Sequence, residues 1–220
     1  DAAVRVIAPA DFDAAVQENT RWDGYEPTSL IGLAGLADAL TFASVDYKHE
    51  GPRFGLGSFK ALGGACAALL VLQREITVRT GRRVALASVT DPEFATLVSG
   101  ITLTTATDGN HGRSVAWGAR RLGANCRIYV HADVSEGRAE AIRDLGADVI
   151  RVAGDYDHSV AVAREESETN GWFVVSDTSW PGYAETPRDV MAGYGVMTRE
   201  IVAAPDCPPT HVFLQGGVGA

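Results

Sequence analysis

Two stretches of this chain repeat one folding step. Leu122-Gly123-Ala124 stands before the strand-like run 127–131, and Leu145-Gly146-Ala147 stands before 148–152. In each, a helical pattern closes on a glycine suited to a left-handed C-cap, and a buried strand follows. Strands joined through helices run parallel, since a parallel pair needs a crossover where an antiparallel pair needs only a tight turn. Other segments extend the alternation: helices over 61–80 (capped by Gly81), 113–122 and 156–169, and strands over 101–105 and 172–175. Residues 44–50 have a strand's period of two. In 188–202, Val190, Tyr194, Met197 and Ile201 share one helical face, and 211–215 reads as a final strand. Residues 87–99, with Asp91-Pro92, read as an irregular insertion and 204–209 as a connector. The expected architecture is α/β, with parallel sheet between helical layers.

Composition narrows the partners. The 220 residues include 28 acidic and 19 basic side chains, a formal charge of −9. Nucleic-acid backbones and anionic membranes both select clustered lysine and arginine, so neither is expected as a partner. The longest unbroken apolar stretch, 65–72, is too short to span a bilayer. Cys66, Cys126 and Cys207 are odd in number and lack a C-x-x-C spacing, which fits free thiols in a reducing cytoplasm. The five histidines show no metal-ligand spacing, so no metal is expected. The opening Asp1 and closing Gly216-Gly217-Val218-Gly219-Ala220 suggest the N-terminal part of a larger fold.

Four constellations carry chemistry. In Arg53-Phe54-Gly55-Leu56-Gly57-Ser58-Phe59-Lys60, a lysine sits where a glycine-rich loop enters an apolar helix. Apolar surroundings favour a neutral, nucleophilic amine, one use of which is a covalent link to a cofactor aldehyde; taken alone, a solvated lysine at a helix start is the commoner case. Phe59 beside it could pack on a cofactor ring or belong to the core. Thr107-Asp108-Gly109-Asn110-His111-Gly112 lies between a strand and a helix, where backbone amides converge on anions. There Asp108 is a candidate acid or base, Asn110 a hydrogen-bond donor to a ring oxygen and His111 a loop hydrogen-bonder; Asp108 and Asn110 could equally be helix caps. Gly216, Gly217, Val218 and Gly219 could bring backbone amides onto a phosphate, or could begin a dinucleotide-binding loop in a non-catalytic nucleotide-binding module. Asp177, in Ser176-Asp177-Thr178-Ser179-Trp180-Pro181-Gly182-Tyr183, follows a strand at the end where α/β sheets bind ligands, though a single aspartate there is more often a turn-former.

Taken together and in order, these stretches resemble the fold-type II pyridoxal phosphate enzymes, the group of threonine and serine dehydratases and tryptophan synthase β. Arg53-Phe54-Gly55-Leu56, Thr107-Asp108-Gly109-Asn110-His111-Gly112-Arg113, Asp177-Thr178-Ser179-Trp180 and Met191-x-Gly193-Tyr194 are most similar to the diaminopropionate ammonia-lyase family. The dehydratases place a small serine or alanine where this chain has Asp108. The resemblance implies a pyridoxal phosphate cofactor held by Lys60 and Phe59, read by Asn110 and bound through its phosphate by Gly216, Gly217, Val218 and Gly219. It implies catalytic Lys60, Asp108 and Asp177, a small amino-acid substrate and a homodimer. It implies the N-terminal part of a three-layer αβα fold, with 1–85 and 178–220 in a large cofactor domain and 86–177 in a smaller one. The activity implied is elimination of ammonia from 2,3-diaminopropionate to give pyruvate, with a threonine or serine dehydratase as the alternative.

Overall fold

The computed structural model describes residues 6–204 and 208–214. An N-terminal helix α1 (Pro9–Asn19) precedes a small antiparallel pair, β1 (Leu30–Gly32) and β2 (Asp46–Lys48), which flanks helix α2 (Ala34–Leu40). The long helix α3 (Lys60–Thr80) comes next, then two 3₁₀ turns and the short helix α4 (Ala95–Ser99). An alternating series follows: β3 (Thr102–Ala106), α5 (Asn110–Leu122), β4 (Asn125–His131), α6 (Glu136–Arg143), β5 (Asp148–Val152), α7 (Tyr156–Asn170) and β6 (Phe173–Val174). Helices α8 (Glu185–Gly193) and α9 (Gly195–Ala203) complete it.

The alternating series forms one parallel sheet in the order β5-β4-β3-β6. The strand period of two splits its side chains between two cores. Leu103, Cys126, Ile128 and Val130 face the main core with α3 and α5, whereas Ala106, Tyr129 and Val152 meet α7 on the other face. The predicted glycine stops hold: Gly81, Gly123 and Gly146 have φ of 68°, 82° and 90°, values that a side chain would strain. The chain advances β3 to β4 to β5 in one direction, and α7 then returns it to place β6 on the far side of β3. That reversal opens a crevice at the carboxyl ends of β3 and β6, the place where open α/β sheets bind ligands.

Helix α3 is the hub of the main core. At 21 residues it is apolar and long enough to span a bilayer by length and composition; the unbroken stretch 65–72 understates it because Gln73-Arg74-Glu75 interrupts the run. In the fold this helix is interior, with Leu62, Ala65, Leu69, Leu72 and Ile76 buried. Small residues let its neighbours touch its backbone. A Cβ on Gly118 of α5 would lie 2.8 Å from the Cα of Ala65, and one on Gly193 of α8 would lie 2.3 Å from the carbonyl oxygen of Leu62.

Four expectations change. The expected helix 188–202 is two helices. Gly193 is pressed on α3 and Gly195 on Phe12, whose ring a Cβ would approach to 2.6 Å; the chain turns at Tyr194 (ψ −11°) to meet both neighbours. Residues 211–214 form no strand, and Val212, Phe213 and Leu214 are exposed, because no described strand offers them a ladder; Gln215 lies outside the described residues. Residues 87–99 are no loose insertion, since Val89, Phe94 and Val98 are buried in the main core. Helix α5 starts at Asn110 rather than Arg113, which brings the asparagine into its first turn.

The segment leading to Lys60 is pinned by a buried charge network. The Arg53 guanidinium, almost fully buried, donates to Glu50 at 2.7 Å and to Glu200 of α9 at 2.8 Å. Lys48 of β2 bonds Glu200 at 2.6 Å, and the Tyr25 hydroxyl donates to the same carboxylate at 2.9 Å. Burial raises the Glu200 carboxyl, but the bonds from Arg53 and Lys48 outweigh it and hold the group at about 2, below its ordinary 4.5. A depressed carboxylate stabilises the fold at pH values above its unfolded pKa and loses that contribution as pH falls from there through the folded value. Acid unfolding therefore engages this network between about pH 4.5 and about pH 2. Glu200→Gln should cost on the order of 3 kcal/mol at neutral pH, because it takes the carboxylate from the largely buried Lys48 and leaves Arg53 with Glu50 alone. It should also flatten the acid limb of a denaturant-stability profile.

Candidate active site

Adjacent strand ends deliver the polar side chains. Asp108 follows β3, His131 ends β4, Tyr156 follows β5 and Asp177 follows β6. Lys60 approaches from the first turn of α3, because α3 packs along α5 and both helices begin at this end of the sheet. Lys60, Asp108, Asn110, Arg113, Tyr156 and Asp177 line one cavity of about 530 Å³. Four residues singled out from the sequence, Lys60, Asp108, Asn110 and Asp177, thus share a single space. Phe59 does not line it: its ring meets Tyr194 edge-on at 5.0 Å, and the Lys60 amine lies 5.9 Å from its centre. Gly216, Gly217, Val218 and Gly219 lie outside the described residues.

The turn before α5 is built by Thr107. Its hydroxyl accepts from the backbone N–H groups of Gly109 and Gly112, each at 3.0 Å. That is the work of a helix cap, supplied by a neighbour of the expected Asp108 and Asn110. Gly109 holds φ 153°, and a Cβ on Gly112 would lie 2.4 Å from the Thr107 methyl. Both glycines are therefore needed for the turn to close over Thr107. Asp108 is left facing outward, about half exposed, and accepts a 3.0 Å hydrogen bond from His131.

Asp177 sits deeper. Its carboxylate is buried and receives the Lys60 ammonium at 2.5 Å. The preceding backbone is fixed by Tyr183, whose hydroxyl donates to the Val174 carbonyl at 2.8 Å and accepts from the Ser176 N–H at 3.0 Å. Trp180 stacks on that ring at 3.9 Å. Burial pushes the Asp177 carboxyl up, but cationic neighbours, His111 when protonated and the Lys60 ammonium bonded to it, outweigh burial and hold it below the ordinary carboxylate range. Burial lowers the pKa of His111 and so favours its neutral form, which leaves the ammonium as the cation that keeps Asp177 ionised at neutral pH. His111 itself is interior: Nε2 bonds the Val175 carbonyl at 2.8 Å and Nδ1 faces Asp177 at 3.6 Å.

Tyr156 and Arg113 were missed from the sequence. Tyr156 occupies a strand-end position like those of Asp108 and Asp177, and burial first, then the Asp177 charge, raises its hydroxyl to about 12. Arg113 lies three residues beyond Asn110, on the same face of α5. Its Nε is buried with no hydrogen-bond partner among the described residues. Strand-end placement and helical spacing were the available signals for the two.

The family described as "Pyridoxal-phosphate dependent enzyme" matches residues 21–220. The diaminopropionate ammonia-lyase of Escherichia coli (strain K12) is 39% identical over 202 residues, covering 90% of this chain and 49% of that protein. The diaminopropionate ammonia-lyase of Salmonella typhimurium is 38% identical over 200 residues, covering 89% and 49%. The crystal structure of the Escherichia coli lyase in complex with D-serine aligns with a TM-score of 0.79 and 34% identity, over 90% of this chain and 49% of that one. The chain spans about half the length of the curated relatives it matches.

The Thr107 cap yields a direct test. Thr107→Val keeps the shape but removes the acceptor of two N–H groups, and should cost about 1 kcal/mol in denaturant unfolding. Thr107→Ser should retain most of that stability.

Proposed function

The chain belongs to the pyridoxal-phosphate dependent enzyme family, and from that premise we propose that its protein is an ammonia-lyase converting 2,3-diaminopropionate to pyruvate. The reaction takes up one molecule of water, and both nitrogens leave as ammonia. The observation that carries the reading is the meeting of Lys60 with two aspartates, Asp108 and Asp177, in one cavity.

The residues present fit the cofactor. Lys60 offers its amine to the cavity, Asn110 offers an amide from the first turn of α5, and the backbone amides of Asn110 and His111, which Thr107 does not occupy, favour an anionic group. Phe59 backs the lysine. The loop 216–219 is assigned the phosphate by resemblance alone. Bound there, pyridoxal phosphate supplies an aldehyde carbon for amines and a conjugated ring that makes the substrate's Cα proton acidic.

The chain's own residues then divide the proton work. Asp177, buried beside Lys60, takes the Cα proton of one enantiomer, and the more exposed Asp108 takes that of the other. The departing β-amino group needs a proton, which Lys60 Nζ is placed to deliver once it is free of Asp177. Arg113 reads the substrate carboxylate, since it lines the cavity and its buried Nε has no hydrogen-bond partner among the described residues. A complex of the Escherichia coli lyase with D-serine supports a site open to D-amino acids. Asp108, where the dehydratases carry a small residue, favours the ammonia-lyase over a threonine or serine dehydratase. Family membership also displaces the non-catalytic nucleotide-binding reading. The same reading puts 1–85 and 178–220 in a large cofactor domain and 86–177 in a smaller one, and makes the protein a cytoplasmic homodimer. The sheet lying within 102–174 supports the domain division.

Steady-state assays with D- and L-2,3-diaminopropionate test this reading. Asp108→Asn and Asp177→Asn should each lose about a hundredfold or more in kcat on a different enantiomer. Equal, minor losses for both would sink the assignment, and turnover of threonine without diaminopropionate would select the dehydratase. Arg113→Gln should raise KM by about tenfold or more, the worth of a charge-assisted hydrogen bond.

A further inference from the structure

His111 has a buried ring nitrogen without a hydrogen-bond partner among the described residues, and the proposed chemistry does not use it. A backbone carbonyl can only accept, so the 2.8 Å contact with Val175 requires the hydrogen to sit on Nε2. A neutral ring then carries a lone pair on Nδ1. That nitrogen is buried in a side chain only 5% exposed, and it has no hydrogen-bond partner among the described residues. It points at Asp177 Oδ2, 3.6 Å away, so two acceptors face each other across a gap that only a proton can bridge. Lys60 keeps them apart: its ammonium, 2.5 Å from the same oxygen, holds Asp177 ionised.

We propose that His111 is a positioning residue that serves Asp177 as a second proton partner, holding a proton on Asp177 through a hydrogen bond to Nδ1 whenever Lys60 no longer faces that carboxylate. The inference rests on the reading of Asp177 as a proton acceptor for the substrate. Lys60 leaves that carboxylate when it holds the cofactor and again, once displaced by substrate, when its Nζ turns to the departing amino group; each time a buried carboxylate is left without its cation. A proton taken from Cα by Asp177 Oδ2 then makes a carboxylic acid whose O–H donates to Nδ1. If the proton moves across, the products are a carboxylate and an imidazolium, with the Nε2–H bond to Val175 unchanged. The return path restores the carboxylic acid of Asp177, which can give its proton back to Lys60 Nζ, its 2.5 Å partner. The other titratable groups around the pair are Asp108 after β3, Tyr156 of α7 and Tyr194 between α8 and α9. None of them has a nitrogen lone pair to offer.

Nitrogen-15 NMR of the histidine-labelled, cofactor-free protein tests the partnership directly. In the wild type Nε2 should be protonated and Nδ1 bare; in Lys60→Ala, Nδ1 should move toward the protonated position, and adding Asp177→Asn should abolish the move. An Nδ1 signal that is the same in wild type and Lys60→Ala overturns the proposal. In the loaded enzyme, His111→Gln keeps a donor for the Val175 carbonyl but has no ring base. It should lower kcat about tenfold for the Asp177-dependent enantiomer alone and displace that pH profile by about one unit, with KM held. Equal losses on both enantiomers would mean a packing role only and overturn it. If Asp177→Asn spares both enantiomers, the proposed function fails, while the cofactor-free NMR comparison still decides this inference.

Discussion

The fold depends on how closely α3 can be approached. Ordinary helix pairs are held 8–10 Å apart by their side chains. Here glycines and alanines remove the spacers on two sides. A Cβ on Gly63 would lie 2.5 Å from the Tyr194 ring, and one on Gly64 would lie 2.6 Å from the Ser114 hydroxyl. The Ser114 oxygen uses this proximity to bond the α3 backbone, accepting from the Ala65 N–H at 3.1 Å. Close contact therefore locks α3, α5 and α8 into one register, and the position of Lys60 follows from it.

That register places an amine from one side and a sheet crevice from the other around the same space. The parallel sheet alone would offer Asp108 and Asp177 at the ends of neighbouring strands, with nothing to hold a cofactor between them. Helix α3 alone would present a lysine at its start. Joined, they produce a part-buried ion pair at 2.5 Å on the wall of a cavity of about 530 Å³. The Arg53–Glu50–Glu200–Lys48 network fixes the approach to Lys60 from the other direction, through α9 and β2. Desolvating four charges is costly, and full pairing is what makes the cluster tolerable.

Local pattern and motif order revealed much of this. The glycine stops at Gly81, Gly123 and Gly146 and the strand at 148–152 follow from residues a few positions apart, as does the entry of Lys60 into its helix. Motif order placed Asp108, Asn110 and Asp177 in one site. What remained hidden depends on partners far along the chain. The Arg53–Glu200 contact joins residues 147 apart, and no periodicity announces it. The break at Tyr194 is forced by Leu62 and Phe12, while the sequence of 188–202 alone supports one continuous helix. His111 read as a loop residue because its burial depends on the Val175 carbonyl, 64 residues away just past β6. The run 211–214 shows the opposite error, since a strand pattern without a paired neighbour forms no strand.

The central claim is that the geometry around α3 makes Lys60 the attachment point of pyridoxal phosphate. A visible absorption spectrum during titration with pyridoxal phosphate tests it, comparing the protein with its Lys60→Ala variant after both are shown to be folded. The account predicts a new visible band, removable by borohydride reduction, for the unaltered protein alone. The same band in Lys60→Ala, or no band in either, would contradict it.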